Sequence, residues 1–192
     1  DITAQQDGLS ASGALEIEGG TFPLLCGGGS GEGSAKTNNR DGFGGMGMPP
    51  GGFGGNRNSR GGKGSGHAPG GYTAGNTDDA ASQSKKGIKA GTSLLMTGGI
   101  FRIDSADDAI HSDASAEING GTYVLSTGDD GIHADVDLAI SSGEINIKKS
   151  YEGLESSRIF ITGGKFDITA SDDGLNAAGG NDGSAGTNPI AP

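Results

Sequence analysis

An all-β fold, a right-handed parallel β-helix with three short strands per coil, follows from three observations on this 192-residue chain. The first is a six-fold motif, D-D-G-[IL]-x-[AS]. It appears as QDGLSA (Gln6 to Ala11), KKGIKA (Lys85 to Ala90), DDAIHS (Asp107 to Ser112), DDGIHA (Asp129 to Ala134), YEGLES (Tyr151 to Ser156) and DDGLNA (Asp172 to Ala177). The second is its spacing: the last five copies begin 22, 22, 22 and 21 residues apart. A constant period of this length marks a solenoid, in which each repeat is one coil stacked on the next. The third is composition. With 31% hydrophobic residues, 41 glycines and no tryptophan, the chain is too lean for a broad core, but a coil needs only a narrow apolar column.

Each coil contains alternating apolar and polar runs separated by turn residues, the pattern of half-buried strands. The first strand of each coil points Leu9, Ile88, Ile110, Ile132, Leu154 and Leu175 inward. Ala11, Ala90, Ser112, Ala134, Ser156 and Ala177 follow two residues later. The second strand contributes Leu15/Ile17, Leu94/Met96, Ala116/Ile118, Leu138/Ile140 and Ile159/Ile161. A Gly-Gly or Ser-Gly corner comes next, at residues 19–20, 98–99, 120–121, 142–143 and 163–164. The third strand then carries Phe22/Leu24, Phe101/Ile103, Tyr123/Leu125, Ile145/Ile147 and Phe166/Ile168. Equivalent residues should stack about 4.8 Å apart along the axis. β-Crossover connections favour the right hand.

This organisation gives one β-helix domain over residues 1–177, interrupted by a glycine-rich insertion over 27–84 and followed by a tail or linker at 178–192. Residues 27–75 alone hold 20 of the glycines, together with Met46, Met48, Pro49, Pro50 and five basic residues. Such composition reads as a flexible surface loop, or as an ordered flap made adhesive by Phe43, Phe53 and Tyr72. Asp1 is not a natural start, so a processed or trimmed N-terminus is expected. Cys26 is the only cysteine, which excludes an intramolecular disulfide; it ends an apolar strand and reads as a buried small hydrophobe.

The net charge is −11, and residues 76–192 carry −10 of it. An acidic body repels nucleic acid and anionic membranes and attracts cations. No stretch is long and apolar enough for a transmembrane helix. P-loop, dinucleotide and Ser/His/Asp signatures are absent.

The chemistry sits in the motif columns. Asp107 and Asp108 should lie directly below Asp129 and Asp130, where unscreened carboxylates one coil apart repel by about 3 kcal/mol. With no Lys or Arg expected in that column, a calcium ion between the carboxylates relieves the repulsion. Asp113, Asp135 and Asp137 can add oxygens, and Glu152 stacked on Asp172 and Asp173 forms a second cluster. The alternative is that Asp-Gly simply makes turns, which does not explain two adjacent aspartates in register. Lack of clustered histidine or cysteine argues against zinc. Beside these columns runs Ser10, Lys89, His111, His133, Glu155 and Asn176, read as a polar ladder facing solvent. The alternative is that stacked His111 and His133 bind a metal or a sugar, and Lys89, His111, His133 and Glu155 remain candidates for ligand binding. Lys85, Lys86 and Lys89 interrupt the acidic columns and either pair with carboxylates or, for Lys89, serve as a base.

The unit D-D-G-[IL]-x-[AS] followed by [IL]-x-[IL]-x-G-G-x-[FY]-x-[IL] resembles a family of bacterial secreted β-helix proteins identified as carbohydrate-binding domains of a cellulose-degrading clostridium. The stretches S-K-K-G-I-K-A, S-A-D-D-A-I-H-S, S-T-G-D-D-G-I-H-A, S-Y-E-G-L-E-S and S-D-D-G-L-N-A-A-G-G-N-D between Ser84 and Asp182 carry the likeness, and the fold is similar to that of calcium-dependent pectate lyases. The resemblance implies calcium held by Asp107, Asp108, Asp129, Asp130, Asp172 and Asp173, and binding of acidic plant polysaccharide such as polygalacturonate. The chain departs from the pattern at Gln6-Asp7, Lys85-Lys86 and Tyr151-Glu152.

Three functions compete at this level. The first is a secreted, extracellular or cell-surface module that binds acidic polysaccharide through calcium without cleaving it. The second is a filament subunit stacked end to end, because D-I-T-A-x-x-D-G-L recurs at Asp1–Leu9 and Asp167–Leu175 and open solenoid ends are unpaired strand edges. The third is a lyase using Lys89 as base beside calcium.

Overall fold

The computed structural model describes residues 1–33 and 84–177, and among them every element is a strand. The first-strand ladder runs through β2 (Leu9–Ala11), β5 (Ile88–Ala90), β8 (Ile110–Ser112), the start of β10 (Ile132–Lys149), the start of β11 (Leu154–Ile161) and β13 (Leu175–Asn176). All neighbours are parallel, and Leu9, Ile88, Ile110, Ile132, Leu154 and Leu175 pair in one unbroken register. That is the column expected from the repeat.

A second ladder joins β3 (Leu15–Ile17), β6 (Ser93–Met96), the first part of β9 (Ser115–Thr127), the middle of β10 and the end of β11. The third joins β1 (Ile2–Ala4), β4 (Thr21–Cys26), β7 (Ile100–Ser105), the ends of β9 and β10, and β12 (Lys165–Ile168). These three parallel ladders form a solenoid of about six turns, with alternate apolar residues from Ile17 to Leu154 meeting inside.

The corners explain the glycine columns. Gly20, Gly99, Gly121, Gly143 and Gly164 all have positive φ, between 99° and 118°, a region closed to residues with a side chain at low cost. At Gly20, Gly99, Gly121 and Gly164 the aromatic two residues later fills the space a Cβ would need: a Cβ at Gly99 would lie 2.9 Å from the Phe101 ring. Phe22, Phe101 and Tyr123 stack face to face, with centroids 5.0 and 4.9 Å apart and planes within 5°. Coil spacing dictates this stack, since one residue type repeats every coil.

Cys26 is fully buried at the end of β4, and burial pushes its thiol up. The opening residues of the insertion lie on the solenoid. Gly27 donates to the Ala4 carbonyl, Ser30 N–H to Asp104 Oδ1 at 2.6 Å, and Lys149 Nζ reaches the Ser30 carbonyl. Residues 34–83 and the tail at 178–192 lie outside the described residues, and with them most of the expected insertion.

Candidate functional site

The turn that precedes each first strand sets the site. Motif residue two of each coil begins the turn, residue three is the tight Gly (Ala109 in coil three), and residue five is the outward member of the short strand. The Gly87 N–H donates to the Asp108 carbonyl, the Ala109 N–H to Asp130 and the Gly131 N–H to Glu152. Backbone bonds therefore lock each turn onto the next and bring the side chains of residues two and five into two adjacent columns.

The first column reads Asp7, Lys86, Asp108, Asp130, Glu152, Asp173. The second reads Ser10, Lys89, His111, His133, Glu155, Asn176. The expectation that the second column faces solvent is corrected: His111 and Glu155 are buried and His133 nearly so. Alternation in a strand sends a side chain away from the core without deciding what stands over it. Here the residues flanking the strand fold up on both sides. His111 bridges them, with Nδ1 2.9 Å from Asp108 Oδ2 and Nε2 2.9 Å from Asp113 Oδ1.

A second correction concerns the cation. Lys86 occupies the motif position of Asp108 one coil earlier, and its Nζ lies 2.8 Å from Asp107 Oδ2 and 2.8 Å from Asp108 Oδ2. A lysine thus does share the acidic column, and pairing is the role it takes. Burial works against its ammonium, but Asp108 and Asp107 outweigh that and hold the pKa above the ordinary lysine value. Asp108 is opposed by burial as well, yet its bonds to His111 and Lys86 keep its carboxyl well below the usual range.

Beyond the reach of Lys86 the balance reverses. Asp130, Glu152 and Glu155 are 1%, 2% and 3% exposed. Burial pushes Asp130 up to about 8, helped by Asp108, Glu155 and Asp129 and resisted by His133. His133 is disfavoured as a cation by burial, but Asp130, Asp108 and Glu155 raise it to about 9. Burial leads the Asp130 shift and neighbouring carboxylates the His133 shift, and both favour the protonated form.

Among the described residues, three groups have ligand atoms within 4.8 Å of one another: Asp107, Asp108 and Asp129; Asp108, His111 and His133; and Asp130, His133 and Glu155. The first is all oxygen, the donor type calcium requires, and the Lys86 ammonium bonds two of its three carboxylates. The set fits calcium in kind, and ammonium and calcium compete for the same oxygens. The expected absence of clustered histidine is also corrected. His111 and His133 meet edge to face with centroids 4.8 Å apart, a contact made across coils by residues 22 positions apart.

Other expected ligands lie elsewhere. Asp113 and Asp135 stand half-exposed at the rim, 42% and 49% exposed in their side chains, and Lys89 Nζ is 3.7 Å from Asp113. Asp137 is taken by the Arg158 guanidinium at 2.7 and 2.8 Å. Glu152 accepts from Asn176 Nδ2 at 2.8 Å, while Asp172 and Asp173 are exposed on the last coil and belong to none of the three groups.

A family model described as carbohydrate-binding domain-containing protein matches residues 1–131 and 126–174. No curated protein and no solved structure matches the chain.

Proposed function

The chain belongs to the carbohydrate-binding domain-containing family, and from that membership we propose an extracellular module that binds acidic polysaccharide through calcium without cleaving it. The observation that carries the finer reading is the rim of the first-strand face. Asp113 and Asp135 stand one coil apart and half-exposed, held from below by the histidine column. A glycan running along the solenoid axis meets the same presentation on two successive coils, at Asp113 and Asp135. An anionic glycan and a body of net charge −11 repel unless a divalent cation lies between them. Calcium shared by rim carboxylates and glycan carboxylates reverses that repulsion. Lys89 supports binding over cleavage, since its ammonium is engaged with Asp113 instead of standing free as a base.

The test is calorimetry of the full chain with polygalacturonate, with and without calcium, and with neutral β-glucan as the comparison. Binding to polygalacturonate only in calcium, weakened by Asp113→Asn combined with Asp135→Asn, is the expected result. Equal binding in chelator, or preference for the neutral glycan, would overturn it; release of unsaturated uronate products would establish the lyase instead.

End-to-end assembly has its own observation. Ile161 and Leu175, inward positions on the last described coils, are 40% and 52% exposed. The repeated D-I-T-A-x-x-D-G-L segment places matching columns at Ile2–Leu9. A second copy seated there continues the core, and light scattering against concentration tests it.

A further inference from the structure

The corner between the second and third strands carries a side-chain amide in one coil only. Before the Gly pair stand Glu18, Thr97, Asn119 and Thr162, and coil four has Ser142 before Gly143. Asn119-Gly120 is also the one Asn-Gly pair in the sequence. Asn119 is exposed, and the ladder is irregular on both sides of it: Ser142 pairs with Asn119 between register shifts toward Ile140 and toward Glu144. Gly121, just beyond, has a φ of 99°. A strand interrupted in this way loses the extended geometry that keeps a side chain away from the next backbone nitrogen.

The contacts prepare the same carboxamide for attack. Ser141 Oγ, one coil on, donates to Asn119 Oδ1 at 2.6 Å. That bond turns the oxygen toward coil four and draws electron density from Cγ. It strengthens when the oxygen becomes an oxyanion, as such donors do in acyl transfer. Gly120 presents no Cβ to crowd the approach of its nitrogen to Cγ. Coil stacking keeps that position glycine, since a Cβ there would lie 2.5 Å from the Thr97 carbonyl oxygen.

We propose that Asn119 is a site of spontaneous deamidation, with Ser141 as the donor to the oxyanion. Water or hydroxide takes the Gly120 N–H proton, and the nitrogen attacks Asn119 Cγ to close a succinimide ring. The Cγ–Nδ2 bond breaks, and the amide nitrogen gains a proton and leaves as ammonia. Water then opens the ring. Attack at Cγ restores the ordinary backbone and leaves aspartate, whereas attack at the main-chain carbonyl carbon leaves isoaspartate. Aspartate keeps an acceptor for Ser141 and adds a negative charge. Isoaspartate routes the backbone through Cβ and Cγ, and so lengthens it at a corner where coil three is stacked between coils two and four.

The site does not rest on the glycan reading. The test is incubation of the full chain at mildly alkaline pH, followed by peptide mapping by mass spectrometry and labelling with an isoaspartyl methyltransferase. Asn119 should exchange its amide for a carboxyl about tenfold or more faster than Asn146 or Asn176, whose next residues, Ile147 and Ala177, carry a Cβ. Both aspartate and isoaspartate should form, and the rate should rise with pH. Ser141→Ala should slow the conversion by about threefold or more, while Ser157→Ala leaves it unchanged. If Ser141→Ala folds poorly, the comparison of Asn119 with Asn146 and Asn176 in the unmodified chain still decides. Equal rates at the three asparagines, aspartate without isoaspartate, or an unchanged rate in a folded Ser141→Ala chain would each overturn the proposal.

Discussion

Lys86 and Asp108 occupy the same motif position in successive coils, and the ammonium of one lies 2.8 Å from the carboxylate of the other. A repeat that keeps aspartate in every copy would stack like charges without limit. The substitution at coil two places a cation in the ladder, and its long stem reaches the next coil's paired aspartates. Its reach ends there, and the coils beyond place Asp130 and Glu155 around His133 and Glu152 against Asn176.

Lys86→Met should therefore destabilise the chain by about 3 kcal/mol in chelator at neutral pH, since removing one member of a buried pair strands the other charge. Urea denaturation reads this directly. Added calcium should recover part of the loss in the variant and less in the parent, because the oxygens of Asp107 and Asp108 are released. An unchanged midpoint would contradict the pairing.

Stability should peak at about pH 4 and fall on both sides of it. Asp108 is lowered from its ordinary 3.8, so its contribution is present above that value and lost as pH falls through the folded-state pKa. Asp130 is raised from 3.8 to about 8 and His133 from 6.5 to about 9. Raised values act in the opposite sense: the stability they contribute is full below the unfolded pKa and lost as pH rises through the folded one. Asp130 thus erodes stability gradually from about pH 4 and His133 from about 6.5. Melting temperatures in chelator should decline steadily from pH 6 to 9.5, and a flat profile over that range would be the contrary result.

Gly131→Ala should cost about 1–3 kcal/mol, the usual price of overpacking. A Cβ there meets Ile147 Cδ1 and the Gly153 carbonyl oxygen, the latter at 2.5 Å. Coil three tolerates Ala109 in the same column, where Leu125 stands in register with Ile147. Coil three shows a leucine there to be compatible with a turn Cβ, whereas in coil four Cδ1 and Cγ1 of Ile147 occupy the space. Gly131→Ala combined with Ile147→Leu should therefore be more stable than Gly131→Ala alone, measured by denaturant midpoint.

Tyr123→Phe should cost about 1 kcal/mol, one net hydrogen bond, because the hydroxyl donates to the Gly120 carbonyl at 2.7 Å. The ring stack with Phe101 is kept, as Phe22 and Phe101 already show in that column. Tyr123→Leu should cost clearly more, and equal losses for the two would mean the stack contributes nothing.

Period, register and inward columns were all legible in the chain. Ile88, Ile110, Ile132 and Leu154 share a motif position, and a parallel coil can align them in only one way without turning every apolar residue outward. The corner glycines were legible for the same reason, since a tight turn recurs at one place in each repeat.

Sequence by itself determined the parallel solenoid and which residues stack on which, because a fixed period turns a one-dimensional spacing into a three-dimensional column. Tertiary structure alone decided which polar columns are buried and which charges meet. The outward side of a short strand is open or closed according to how the flanking turns rise beside it, as Asp108 and Asp113 do around His111. A lysine's partner depends on where its four-carbon stem ends, as Lys86 shows by reaching the next coil. Spacing stacked His111 on His133 and offered Lys86 carboxylates to pair with, but neither the burial of the histidines nor the choice of Asp107 and Asp108 as partners is a property of spacing.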